Sequence, residues 1–179
     1  MTRLKLAMCV ALLGVVVTAT VAVAGGRSSL RARLSGYNEL PLTINSPGRG
    51  TFRASIDRST QTIHYRLSYE GLTNVQQAHI HFGREFVAGG ISAFLCSNLG
   101  NGPAGTQACP AESGTVTGTI TPADVVGPAN QGIAPRDFEG LARAMRAAAT
   151  YANVHTAAWP GGEIRGQIPG KHGRAHDED

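Results

Sequence analysis

The feature that most constrains the fold of this chain is a period of two that keeps returning. Ile63, Tyr65, Leu67 and Tyr69 alternate with His64, Arg66 and Ser68. In an extended chain that spacing puts apolar side chains on one face and polar ones on the other. The pattern recurs at Leu30, Ala32 and Leu34, at Phe52, Ala54 and Ile56, and at Ala78, Ile80 and Phe82. It returns again over residues 91–96 and at Val116, Gly118 and Ile120, where threonines lie opposite. Turn chemistry separates the runs: residues 45–50, Asp57-Arg58-Ser59-Thr60, and Gly71. Two last runs, residues 151–156 and 164–168, flank Pro160-Gly161-Gly162 and read as a closing hairpin.

One segment breaks the alternation. Near Pro135 a helical spacing begins, with Phe138, Leu141, Ala142, Met145 and Ala149 on one stripe. Asp137 and Glu139 stand at the favourable end of the helix dipole, while Arg143 and Arg146 come late and outward. Thr121-Pro122-Ala123-Asp124 offers the start of a shorter helix. The expected fold is therefore all-β: a Greek-key-like β-sandwich or small barrel of seven or eight strands with one helical connection.

Residues 1–24 follow the order of a secretory signal: Arg3 and Lys5, an apolar run, then Ala22-Val23-Ala24, with cleavage expected after Ala24. An uncleaved anchor is the rival, since about 18 apolar residues just span a bilayer; the small-residue ending favours the signal. Cys9 leaves with it. The signal removes two of the 16 basic residues and none of the 12 acidic ones, leaving a net +2. That charge is too small to argue for nucleic acid or an anionic membrane. What remains suits one domain, residues 25–168, followed by a disordered polar tail, 169–179. The tail's His172, His176 and terminal acids read as a solvated end.

Cys96 and Cys109 flank a stretch rich in Gly, Pro and Asn. In an exported protein the default is a disulfide, worth about 3 kcal/mol for a loop of this size. A metal or redox pair would prefer the tighter C-x-x-C spacing.

Three motifs then stand out: Leu34-Ser35-Gly36-Tyr37-Asn38-Glu39-Leu40-Pro41, Ala78-His79-Ile80-His81-Phe82-Gly83, and Tyr151-Ala152-Asn153-Val154-His155-Thr156 with Pro160-Gly161-Gly162-Glu163-Ile164-Arg165-Gly166. Together they resemble the CHRD domain, first described in chordin and also found as a stand-alone exported bacterial protein. The third motif is the specific one, and Asn153, Thr156, Gly162 and Glu163 belong to its pattern. The resemblance implies an extracellular all-β module, secreted or periplasmic; the favoured reading is a non-enzymatic module that binds an extracellular or periplasmic protein or ligand, and the alternative is a metal-binding protein with superoxide-dismutase-like chemistry. The chain departs from the resemblance at Arg84-Glu85-Phe86-Val87-Ala88-Gly89-Gly90, where many members carry a Gly-rich run.

His79 and His81 project from one face of a strand about 6–7 Å apart, close enough to share a cation. His155 offers a third imidazole and Glu163 a fourth donor, a set suited to Cu or Zn. His64 would join only if its strand were adjacent. The arrangement faintly resembles copper/zinc superoxide dismutase, without that enzyme's bridging histidine or zinc-site aspartate. The bland account, favoured by the sequence alone, has the three histidines bonding backbone or carboxylates. Arg165 reads as half of an ion pair with Glu39 that stitches the first strand to the last. No G-x-S-x-G elbow, paired-acid arrangement or phosphate loop is present.

Overall fold

The computed structural model describes residues 28–170. The expected signal (1–24) and all of the tail beyond Gly170 lie outside them. Eight strands form: β1 (Ser28–Ser35), β2 (Arg49–Asp57), β3 (Thr62–Glu70), β4 (Val75–Phe82), β5 (Gly90–Ser97), β6 (Gly114–Ile120), β7 (Thr150–Thr156) and β8 (Ile164–Ile168). Between β6 and β7 runs the helix α1 (Phe138–Arg146), preceded by two 3-10 turns. None of the described helices is long and apolar enough to cross a membrane.

The strands make one antiparallel sheet in the order β5-β4-β7-β8-β1-β2-β3-β6. The chain's last hairpin therefore lies inside the sheet, with β8 beside β1 and β7 beside β4. The β1–β8 seam is narrow, with Ser35 opposite Arg165. Around this seam the sheet turns back on itself, and its apolar face closes over a single core.

That core is the period-two pattern made solid. Leu34, Phe52, Ile63, Leu67, Ile80, Leu95, Ile120 and Ile164 are all fully buried inside it. Burial of each such side chain stabilises the fold by about 1.5–3 kcal/mol. Helix α1 adds Phe138, Leu141 and Met145 to the same cluster. Its N-cap is Asp137, whose carboxylate accepts the Gly140 amide, so Pro135 lies just ahead of the helix rather than in its first turn. Thr121 and Asp124 form a capping box around a single 3-10 turn.

The two outer strands, β5 and β6, approach without a continuous ladder. Cys96 and Cys109 are joined, with Cα atoms 5.1 Å apart, so the Gly- and Pro-rich loop is tied to β5. That loop holds Gln107 where its amide donates to Thr117 O on β6 and to the Tyr65 hydroxyl, which itself donates to Leu95 O on β5. Side chains and a disulfide thus close a near-barrel that backbone pairing leaves open.

Candidate metal centre

Alternation fixes the inner faces of β4, β7 and β8, so His79, His81, Tyr151, Asn153, His155, Arg165 and Gln167 must point away from the core. Register lines them up: His79 lies opposite Asn153, His81 opposite Tyr151, and Asn153 opposite Arg165. An outward face of an antiparallel sheet normally meets water. Here His79 is 0 % exposed, and His81, Tyr151, Asn153, His155 and Arg165 are all buried.

Two loops cover them. Residues 83–89 fold back over β4 and β7, and the Arg165 guanidinium donates to Arg84 O and Val87 O at 3.2 and 2.9 Å. Gly89 is held from below: its amide donates to the Tyr151 hydroxyl, and its carbonyl accepts from His81 Nδ1 at 3.0 Å. A Cβ at Gly89 would lie 1.8 Å from Phe82 O, so no other residue permits this approach. Arg165 sits 3.5 Å from the Tyr151 ring centroid, and His81 stacks on Tyr151 with ring centroids 4.8 Å apart.

The second cover is the loop after β1. Asn153 donates to Glu39 and to Ile164 O, while Glu163 accepts from Ser46 and Thr156. Gly162 has φ +134, and a Cβ there would press on Asn153 and Glu39 at 2.7–2.8 Å. Burial pushes the Glu39 carboxyl up to about 7, against the opposing pull of Asn153 and Arg165.

His79, His81 and His155 form one group, each offering a ring nitrogen within 4.8 Å of the others. Carbonyl oxygens only accept, so His81 Nδ1 donates to Gly89 O and His155 Nδ1 donates to Pro160 O, at 3.0 Å each. Both therefore carry their proton on Nδ1 and a lone pair on Nε2. His155 Nε2 therefore accepts a hydrogen bond from His79 Nδ1 at 3.1 Å, which leaves the His79 lone pair on Nε2. His79 Nε2 and His81 Nε2 are buried and have no hydrogen-bond partner. Burial lowers all three pKa values, with His81 falling to about 4, so the imidazoles are neutral at physiological pH. Neutral, buried nitrogens anchored through their far side are the form in which histidine ligates metal.

A family model for the CHRD domain matches residues 30–168. The chain belongs to the CHRD domain family. No curated protein and no solved structure matches it. In this CHRD domain the three sequence motifs meet in one layer: the first supplies Glu39, the second His79 and His81, and the third Tyr151, Asn153, His155, Glu163 and Arg165.

Several expected partnerships differ in detail. Glu39 and Arg165 share the layer but make no direct ion pair. The Asn153 amide takes the carboxylate and the loop carbonyls take the guanidinium, so the two charges act on each other only through space. The first and last strands are stitched by backbone pairing instead. Glu163 is committed to Ser46 and Thr156 and stands outside the histidine group. His64 lies on β3, whose neighbours are β2 and β6; it is exposed and bonds Thr119. The likeness to superoxide dismutase stops at three imidazoles. Sequence reasoning gave no role in this layer to Tyr151, to Phe94, whose ring meets His79 edge-on, or to the carbonyls of Gly89 and Pro160. An aromatic residue among polar ones on the outward face of β7 was the available signal.

Proposed function

We propose that this CHRD domain is an exported, non-enzymatic binding module whose ligand is a transition-metal cation held by His79, His81 and His155. The carrying observation is the pair of orphaned nitrogens, His79 Nε2 and His81 Nε2, buried inside a three-histidine group. Buried polar atoms are almost always paired, and two lone pairs left bare within one histidine group suit a cation. The carbonyls of Gly89 and Pro160 supply the outer hydrogen bonds that orient ligating imidazoles. Export is supported by the signal-like residues 1–24 and by the disulfide. Calorimetric titration of Cu(II), Cu(I) and Zn(II) tests the reading, with His81→Ala alongside. Heat from at least one ion in the native protein and its loss in the variant are expected; no heat, or unchanged heat in the variant, refutes it.

A second reading, a docking module for an extracellular or periplasmic protein, draws on the loop that Arg165 clamps. Phe86 (81 % exposed, φ +64) and Val87 present apolar surface at its tip.

A further inference from the structure

Taking the metal reading of the same three histidines as its premise, we infer that the site selects a monovalent soft cation, copper(I), over zinc(II) and copper(II). The donor set is three imidazoles, His155 joining in exchange for its hydrogen bond from His79 Nδ1, with no carboxylate or thiolate within the group. Its summed charge is zero. Sites for zinc hold four ligands, or three plus a water, and copper(II) prefers a tetragonal set. Copper(I), with half the charge of either divalent ion, needs fewer ligands and is satisfied by three nitrogens.

On this face one buried side-chain oxygen, Gln167 Oε1 opposite Tyr151, stands without a hydrogen-bond partner, and most other donors are engaged. The Phe94 ring meets His79 edge-on at 4.4 Å between centroids, an apolar neighbour with no donor atom to offer. The Tyr151 hydroxyl is engaged by the Gly89 backbone, and both Glu163 oxygens accept hydroxyls. His79 itself is 0 % exposed, so solvent does not complete the shell from its side.

Charge points the same way. The Arg165 guanidinium lies on the Tyr151 ring that also stacks against His81. Its repulsion doubles for a divalent ion, and the Born penalty of burying an ion grows with the square of its charge, about fourfold here. Glu39 and Glu163 share the layer but are held by Asn153, Ser46 and Thr156 and stand outside the histidine group, so no carboxylate bonds the ion directly.

The test is competition with chromophoric chelators on the purified, disulfide-intact protein. Copper(I) is held under ascorbate without oxygen; zinc(II) and copper(II) are titrated separately. The expected result is a copper(I) Kd at least about 100-fold below that for either divalent ion. His81→Ala should weaken copper(I) at least about tenfold, while the exposed His64→Ala leaves it unchanged. Zinc(II) or copper(II) bound as tightly as copper(I) overturns the selectivity and leaves the site standing; no binding of any of the three overturns the metal reading itself. Should His81→Ala unfold, the X-ray absorption edge of the copper(I)-loaded native protein decides. A three-coordinate nitrogen shell supports the inference, and a four-coordinate shell overturns it.

Discussion

Acid should destabilise the metal-free protein through its buried histidines, and Glu39 should hide part of the effect. Burial lowers the His79 and His81 pKa values, the latter to about 4, against an unfolded value of 6.5. Below 6.5 the unfolded chain takes up protons that the folded chain refuses, so stability is present above 6.5 and lost as pH falls. Between pH 7.5 and 5.5 each of these two imidazoles removes about 1.4 kcal/mol, or about 3 kcal/mol together. His155 shifts the same way and adds to the loss. Glu39 works in reverse. Its pKa is raised from 4.5 to about 7, so its contribution is present at low pH and lost as pH rises through 7. Over the same interval it returns about 2 kcal/mol on acidification. The native protein should therefore lose about 1 kcal/mol from His79, His81 and Glu39 combined, plus the His155 term. Glu39→Gln, which cannot titrate, should lose about 3 kcal/mol or more. Urea denaturation at both pH values, at constant ionic strength and with chelator present, measures this through the midpoint at constant m. A Glu39→Gln protein whose stability is flat or rises from pH 7.5 to 5.5 would refute neutral burial of the cluster.

Further outcomes follow from the cover of the layer. Arg165→Met removes two charge-assisted hydrogen bonds to Arg84 O and Val87 O and the contact with Tyr151. It should cost about 3 kcal/mol, roughly 10 °C in Tm by calorimetry, whereas Glu39→Gln, which keeps a partner for Asn153, should cost much less. Gly89→Ala forces a Cβ into Phe82 O and displaces the carbonyl that orients His81. Its signature is a fall in both Tm and cation affinity, and an unchanged affinity would mean that the Gly89 anchor plays no part. Replacing Cys96 and Cys109 by serine should lower stability by about 3 kcal/mol in urea. It should also loosen Gln107, visible as faster amide exchange in β6.

The strands, the helix and the disulfide were legible because each has a local cause. Ile63, Tyr65, Leu67 and Tyr69 declare their buried face by spacing alone, and Phe138, Leu141 and Met145 declare the helix by theirs. The candidate site was legible only as a list. His79 and His81 share a face by period two, yet that period reports which residues meet the core and is silent about what covers the opposite face. Residues 83–89 and the loop after β1 reach that face from distant points of the chain, and their carbonyls carry no mark in the sequence. For the same reason Arg165 was assigned to Glu39: opposite charges are visible in a sequence, and backbone oxygens are not. The sequence by itself determined an all-β chain with a family pattern and three histidines of one kind. Only the tertiary structure decided that the polar face is buried, that His155 reaches His79 across β7 and β4, and that two imidazole nitrogens are left bare. Strand order and loop cover are long-range facts, set by how the sheet closes on its core.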